Sequence, residues 1–313
     1  MTPKDGIPER LIVAIGGKAI DSGGTGEALF PLVALGQQLV ITHGNGPVVG
    51  KMTMRNAMAR ERVEPMPLDV YVAHSQGGVA YLLMQALQNA LRTRGNSRRV
   101  VCLLTQVDVD PHDQAFLNPS KPIGYFYTED DARALGHEMG WLMREESGRG
   151  WRHVVPSPTP KHIVDVSLIR TLAESGHVVI AAGGGGVPVV RDARGRRHGI
   201  EAVIDKDRTT ALMANMLGID DMMILTAVPR VAVNFGKPNQ TLLKRVSLSE
   251  IKELHAEGHF PPGSMGPKID AAVQFLEGGG RRALIGRIED AVAILHGEAG
   301  TQIIADAALA WAS

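Results

Sequence analysis

The stretch Gly199-Ile200-Glu201-Ala202-Val203-Ile204-Asp205-Lys206-Asp207 places a lysine beside a carboxylate, directly before a helical segment at 208–217. Turns rich in glycine or carrying a lysine recur elsewhere in the chain, at 16–18, 43–47, 183–186 and 263–268. Backbone N–H groups and lysines that an internal carboxylate holds in place are what phosphoryl transfer requires. An isolated Lys-Asp pair is ordinarily a surface ion pair. Repetition of these signatures at the ends of apolar runs favours a phosphate site instead.

Composition narrows the functional classes. The 313 residues suffice for one large α/β domain or two lobes with a substantial core. Because 33 basic residues balance 33 acidic ones, the charge gives no reason to expect a nucleic-acid partner. The single cysteine, Cys102, lies in an apolar run and excludes a disulfide framework or a cysteine-based metal site. The chain opens on no secretory leader and has no run of membrane-spanning length, so we expect a cytoplasmic protein without membrane contact.

Short apolar runs alternate with helical patterns along the chain. The runs predict buried strands at 11–15, 38–42, 100–105, 178–182, 221–226, 283–286 and 302–304. The helical patterns lie at 28–37, 79–91, 163–175, 208–217, 247–256 and 268–277. This alternation predicts an α/β/α sandwich with an open, mostly parallel central sheet. In such a sheet the glycine turns at the strand ends gather along one edge, where ligands bind.

The segment 107–160 has a different texture. It is polar, rich in Pro, Asn, Asp and Gly, and has few apolar runs, so we interpret it as a small, protruding, lid-like subdomain. Within it, Pro119 and Pro122 flank Lys121 and stiffen the loop that carries this lysine. Such rigid flanks make a functional role for Lys121 as plausible as simple solvation.

Nine strings of the sequence closely resemble carbamate kinases of the amino acid kinase superfamily. They lie in family order at 40–47, 75–77, 104–107, 118–124, 154–158, 182–186, 201–207, 263–268 and 297–301. The resemblance implies a lobe at 1–210 that binds carbamate or carbamoyl phosphate, including the protruding subdomain, and a lobe at 211–313 that binds ADP or ATP. It also implies a homodimer, reversible transfer of a phosphoryl group between carbamoyl phosphate and ADP, and a place in arginine metabolism.

The resemblance also assigns roles to individual residues. Lys206 and Lys268 would contact the phosphates of the nucleotide and of the transferring group, Asp207 would hold both lysines, and Lys121 would reach in from the subdomain. The implied substrate-binding residues are Gly16, Gly17, Lys18, Gly44, Asn45, Gly46, Ser75 and Gln76. The implied nucleotide-binding residues are Gly183, Gly184, Thr226, Arg230, Lys237, Met265 and Gly266. Mg²⁺ would be held chiefly by the nucleotide phosphates, because no protein cage of carboxylates is visible in the sequence.

Three segments depart from the family pattern. Lys18 stands where the family has Asn, and it adds a positive charge beside the transferring group. The region between Lys18 and Leu39 is short, which predicts an altered wall on the acceptor side. At 226–232 the chain reads Thr-Ala-Val-Pro-Arg-Val-Ala, so two carboxylates and an aromatic residue associated with the nucleotide are replaced.

These departures leave three hypotheses open. The first is a carbamate kinase, which the retained lysines favour. The second is a relative that binds carbamoyl phosphate or a similar anion but uses ATP poorly, because Ala232 removes an aromatic wall and Arg230 is long enough to fill the vacated space. The third is a kinase with a changed acceptor or donor, for which Lys18 would matter.

Overall fold

A computed structural model describes residues 8–17, 24–146, 148–261 and 263–306. Its centre is an eight-stranded sheet. In spatial order the strands are β15 (Arg245–Ser247), β17 (Thr301–Ile304), β16 (Arg282–Arg287), β12 (Asp221–Thr226), β1 (Arg10–Ile15), β2 (Gln38–His43), β9 (Val178–Ala181) and β3 (Val100–Leu103). Every neighbouring pair is parallel except β16 and β17. The predicted mostly parallel sheet is therefore confirmed, although the sequence did not indicate the edge strand β15.

Helices cover the central sheet on both faces. The helices of the described residues are α1 (Thr25–Ala34), α2 (Val48–Ala59), α3 (Leu68–Thr93), α4 (Gln114–Leu117), α5 (Glu129–Met139), α6 (Val166–Glu174), α7 (Lys206–Leu217), α8 (Leu248–Ala256), α9 (Gly266–Glu277) and α10 (Ala291–Leu295). Helices α1, α3 and α10 pack on one face, and α6 to α9 pack on the other. Within the described residues, no helix is long and apolar enough to cross a membrane.

The central strand β1 shows why its sequence is a continuous apolar run. Leu11, Val13 and Ile15 pack into the core on one face of the sheet. Ile12 and Ala14 pack into the core on the other face, and all five are fully buried. A strand that is buried on both faces needs an apolar side chain at every position, whereas a half-exposed strand alternates.

Helix α3 is longer than the sequence analysis predicted. The segment 74–78, which precedes the helix predicted at 79–91, lies inside α3. Tyr71, Val72, Val79 and Leu83 are buried along one side of this helix, and their burial stabilises it across the two glycines at 77 and 78. Both glycines lie on the exposed side, where they contact nothing that an added Cβ would meet.

Three smaller sheets surround the central one. The first has four strands, in the order β11 (Arg197–Gly199), β10 (Val187–Arg191), β4 (Gln106–Val109) and β8 (Pro160–Ile163). The second has three strands, in the order β5 (Lys121–Tyr127), β7 (Gly150–Val155) and β6 (Met143–Glu146). The third pairs β13 (Ala232–Val233) with β14 (Thr241–Leu242). β10 and β11 pair as an antiparallel hairpin. The separate β5-β7-β6 sheet lies within the predicted subdomain at 107–160, whereas β4 and β8 at its ends pair with each other. The predicted boundary between lobes at 210 falls inside α7.

Candidate active site

The turns after β1 and β2 contact each other at the carboxyl edge of the sheet. A Cβ added to Gly17 would lie 2.5 Å from the amide nitrogen of Gly46, so only glycine permits this approach. The amides of Gly16 and Gly44 are used by the sheet, since they donate to Leu225 and Ile15. Within the described residues, the amides of Gly17, Asn45 and Gly46 donate to no acceptor. These three amides are therefore the ones that can bind an anion.

The glycine turn after β9 lies against the turn after β2. A Cβ on Gly183 would come within 2.3 Å of His43 Nε2, and one on Gly184 would come within 3.0 Å of Asn45 Nδ2. The resemblance predicts Gly183 and Gly184 at the nucleotide. In the structure they lie beside His43 and Asn45, because β9 neighbours β2 and is separated from β12 by two strands.

Helix α7 begins at two of the predicted catalytic residues. Lys206 Nζ donates to Asp207 Oδ1, and Lys268 Nζ, which α9 carries, lies 3.3 Å from Asp207 Oδ2. The Asp207 side chain is only 4% exposed, and the two lysine side chains are 13% and 19% exposed. One carboxylate thus fixes two ammonium groups and leaves a net positive charge. We call Lys206, Asp207 and Lys268 the lysine centre.

Asp205 is a site residue that the sequence analysis missed. Its Oδ1 caps α7 by accepting from the amides of Asp207 at 2.9 Å and Arg208 at 3.4 Å. Its Oδ2 accepts from Lys121 Nζ at 3.1 Å, and this ammonium also donates to the carbonyl of Ile204. Burial alone would raise the pKa of Asp205, but the charges of Lys121 and Lys206 lower it to about 2. An aspartate directly before a helix is a recognisable N-cap, so the sequence did carry this signal.

These contacts bring Lys121 to the lysine centre. The lysine lies on β5, and its ammonium reaches the residue that precedes Lys206. One aspartate therefore holds both the start of α7 and the side chain that enters from the β5-β7-β6 sheet.

His43 supports the turn after β2 from within the core. Its Nδ1 donates to the carbonyl of Gly44 at 3.0 Å, an assignment that leaves Nε2 as an unprotonated, buried atom without a partner in the described part of the chain. Burial lowers the pKa of His43 to about 4, and the charge of Lys206 acts in the same direction. A neutral His43 therefore positions Gly44, which agrees with a structural role at the strand end.

The polar side-chain groups of Ser75 and Gln76 bond to the protein backbone and are therefore not directed toward a substrate. The Ser75 hydroxyl donates to the carbonyl of Val72 within α3. The Gln76 amide bonds both the carbonyl and the amide of Thr105, each at 3.0 Å. Thr105 in turn accepts from the amide of Ala182, directly before the glycine turn. Gln76 thus positions the turn at 183–186 through Thr105.

A cavity of about 380 Å³ lies beyond the end of β12. Its lining includes the predicted residues Thr226, Arg230, Met265 and Lys268, together with the unpredicted Val228, Pro229, Phe235 and Leu242. We call it the Thr226 cavity. Lys237 and Gly266 do not line it, since Lys237 lies in the exposed turn before β14 and Gly266 is buried as the first residue of α9.

The structure corrects two expectations about this cavity. Phe235 supplies an aromatic wall although Ala232 has none to offer. Arg230 does not fill the space, because its Nη2 donates to the carbonyl of Glu298 at 3.4 Å. The altered segment at 226–232 therefore leaves an open cavity with apolar walls, which is the usual character of a small-molecule site.

Two further predictions concern Lys18 and a metal. Lys18 and residues 19–23, the first part of the short segment that follows it, lie outside the described residues. Among the residues that the structure describes, no group of three or more His, Cys, Asp or Glu side chains could hold a metal ion.

Comparison with known proteins places this geometry in a family. The model of the amino acid kinase family matches residues 9–287. A carbamate kinase of Pyrococcus horikoshii is 44% identical over 95% of this chain and 99% of its own length. A carbamate kinase-like protein of Escherichia coli is 44% identical over 94% of this chain and 99% of its own. The solved structure of carbamate kinase from Giardia lamblia bound to AMP-PNP superposes with a TM-score of 0.88 at 39% identity, covering 96% of this chain and all of that one.

Proposed function

The chain belongs to the amino acid kinase family, and we propose that it is a carbamate kinase. It would exchange carbamoyl phosphate and ADP with carbamate and ATP. Full-length similarity to carbamate kinases supports this phosphotransferase reaction. The open Thr226 cavity gives no support to the alternative of a relative that has lost nucleotide use.

The position of Lys268 is the observation that carries the proposal. Its ammonium bonds Asp207 in the lysine centre, and the same residue lines the Thr226 cavity. A nucleoside that occupies this cavity would therefore direct its phosphates past Lys268 toward Lys206. A cavity of about 380 Å³ has a volume in the range of small-molecule sites.

The described residues can support the reaction without a nucleophilic side chain. In the direction of ATP synthesis, an oxygen of the ADP β-phosphate attacks phosphorus, and the bond from phosphorus to the carbamate oxygen breaks. The free amides of Gly17, Asn45 and Gly46 would hold the transferring group, and the ammonium groups of Lys206 and Lys268 would neutralise its charge. Phosphoryl transfer depends mainly on such positioning and electrostatic stabilisation.

Mg²⁺ would accompany the nucleotide and would help to neutralise the charge of its phosphates. The carboxylate at the lysine centre does not offer a metal cage, because each oxygen of Asp207 already accepts from a lysine. We therefore expect the phosphates to supply most of the ligands of the ion.

The β5-β7-β6 sheet with α5 would act as a lid over the acceptor. Lys121 would then contact the transferring group when the lid is closed, and it would pair with Asp205 when no substrate is bound.

We also expect a homodimer, which size-exclusion chromatography with light scattering would measure.

The direct test is ATP formation from carbamoyl phosphate and Mg·ADP by the purified protein. We expect turnover with carbamoyl phosphate, and much slower turnover when acetyl phosphate replaces it. Absence of turnover, together with calorimetric binding of carbamoyl phosphate but not of Mg·ADP, would refute the kinase and leave an anion-binding relative. Turnover with acetyl phosphate alone would instead show a different acceptor.

A further inference from the structure

A second cavity, of about 660 Å³, lies in the C-terminal part of the central sheet, away from the lysine centre. It is formed by the starts of β15 and β16, the end of β17 and the residues after α10. Its lining consists of Lys244, Arg245, Arg281, Arg282, His296, Gly297, Gln302 and Ile304. Arg282 begins β16, so the cavity extends to the edge of the sheet opposite the glycine turns. We call it the basic cavity.

The charges of the basic cavity are not balanced within the described residues. No Asp or Glu is among its lining residues. Lys244 and Arg245 form no ion pair with any described residue. Arg281 and Arg282 both pair with the carboxylate of Asp221. Arg281 Nη2 lies 3.4 Å from Asp221 Oδ1, and Arg282 Nη2 lies closer to Asp221 Oδ2. Four cations against one carboxylate leave three positive charges.

Two of these cations are held in place rather than solvated freely. Asp221 is fully buried at the start of β12, and it accepts from Arg282 Nε at 3.1 Å as well as from Arg281. The Arg282 side chain is only 17% exposed. An arginine that is anchored from behind by a carboxylate presents its remaining N–H groups in a fixed orientation, which suits recognition of phosphate oxygens.

The neighbouring turn leaves room for a polar side chain at this cavity. Gly297 has a φ of +81°, and a Cβ there would come within 2.7 Å of Gln302 Nε2. The Gln302 amide is therefore packed against the turn after α10 while it lines the cavity. It adds a neutral hydrogen-bond donor to the cationic groups.

From this arrangement we propose that the basic cavity binds a small multivalent anion that carries phosphate groups. Like charges that face one cavity repel each other, and a ligand with two or more negative charges would relieve this repulsion. The volume admits a ligand of nucleotide size. This site does not depend on the proposed kinase activity, since it shares no residue with the lysine centre or the Thr226 cavity.

Inorganic pyrophosphate and chemical labelling of the wild-type protein test the proposal. Lys244 is exposed and available to acetic anhydride, and so is Lys161 on β8, which serves as an internal control. We expect pyrophosphate to protect Lys244 from acetylation, as measured by mass spectrometry, and to leave Lys161 unprotected. Equal labelling of Lys244 with and without pyrophosphate would overturn the site.

A charge-reversed variant gives an independent measurement. Lys244→Glu with Arg245→Glu should bind one equivalent of pyrophosphate fewer than the wild type in calorimetry, because the affinity at this cavity falls by about tenfold or more. The matched control is Lys161→Glu with Arg194→Glu, which reverses two exposed charges elsewhere and should change nothing. Unchanged stoichiometry in a folded cavity variant would contradict the proposal. Stronger protection of Lys244 by a single-stranded RNA than by pyrophosphate would also overturn it, in favour of a macromolecular partner.

Discussion

The lysine centre and the Thr226 cavity meet at Lys268 but are built differently. At the lysine centre the Asp207 side chain is 4% exposed, and each of its oxygens accepts from an ammonium group. The Thr226 cavity has an exposed rim, in which Phe235 is 67% exposed and Leu242 is 47% exposed. The lysine centre fixes charges in a buried network, whereas the Thr226 cavity offers apolar surface on a short hairpin.

This difference has a physical reason. Stabilising a transferring phosphoryl group needs donors fixed in position before the reaction, so each side chain at the lysine centre is held by another. A nucleoside base needs mainly apolar surface, and several side chains can provide it from different positions. The first region should therefore tolerate almost no substitution, while the second should tolerate many at small cost.

The largest expected effect comes from removing one ammonium group of the lysine centre. Lys206→Ala should lower kcat about 10²–10³-fold, because one preorganised donor to the developing charge is lost. The affinity for Mg·ADP should fall much less than kcat, since Lys206 does not line the Thr226 cavity that would hold the nucleoside. Steady-state kinetics and calorimetry measure the two effects separately. The control is Lys252→Ala, which removes an exposed lysine on α8 and should be active. Near-normal turnover of Lys206→Ala would show that the Lys206–Asp207 contact is only a structural ion pair.

The second effect concerns the packing that supports the lysine centre. Gly183→Ala should destabilise the protein by about 1–3 kcal/mol, because the new methyl group would lie 2.3 Å from the ring of the fully buried His43. Urea unfolding measures the change. Gly77→Ala, on the open side of α3, is the matched control and should be neutral or slightly stabilising. Equal stability of both variants would mean that the glycine turn is looser than its contacts imply.

The sequence predicted the lysine centre better than the Thr226 cavity, because the residues of the two regions are brought together in different ways. Lys206 and Asp207 are adjacent in the chain, and both start a helix, so their proximity follows from local structure. The glycine turns follow buried strands whose apolar runs are continuous, which places them at one sheet edge. The position of Gly183 and Gly184 beside His43 and Asn45 could not be predicted, because strand order does not follow from local sequence patterns: β9 pairs with β2 and β3, and is separated from β12 by two strands.

The walls of the Thr226 cavity could not be predicted from residue type. Phe235 and Leu242 come from a hairpin of two-residue strands, and short exposed strands carry little periodicity. Loss of an aromatic residue at 232 therefore suggested a damaged site, although another ring three positions later lines the cavity. Gln76 shows the opposite error, because a polar residue in a family-like string proved to bond the backbone of Thr105.

A smaller effect should distinguish Lys121, which joins the lysine centre from the β5-β7-β6 sheet. The charges of Lys121 and Lys206 lower the pKa of Asp205 to about 2, below its ordinary value in the unfolded chain. The resulting stability is present above that ordinary value and is lost as the pH falls toward the folded pKa. Lys121→Ala should therefore be less stable than the wild type by about 1 kcal/mol near neutral pH, and the difference should shrink as the solution becomes more acidic than about pH 4.

Urea unfolding at several pH values measures this dependence. Lys51→Ala, which removes an exposed lysine of α2 that has no ion pair in the described residues, is the control and should show no such convergence. A stability difference between Lys121→Ala and wild type that persists unchanged to low pH would show that the lysine acts through packing and not through Asp205.

The smallest effect is expected at the rim of the Thr226 cavity, where Phe235→Ala should weaken Mg·ADP binding about threefold to tenfold, the usual contribution of one aromatic contact. The ring is mostly exposed before a ligand binds, so its removal should leave the folded protein almost as stable as before. The kcat should stay near that of the wild type. Within the described residues, Phe235 makes no hydrogen bond and no ring contact with a residue of the lysine centre. Phe235→Leu should restore part of the affinity, since apolar surface is what this position supplies. If Phe235→Ala instead lowered kcat as strongly as Lys206→Ala, the cavity would have to position the phosphates as rigidly as the lysine centre does, and the contrast between the two regions would fail.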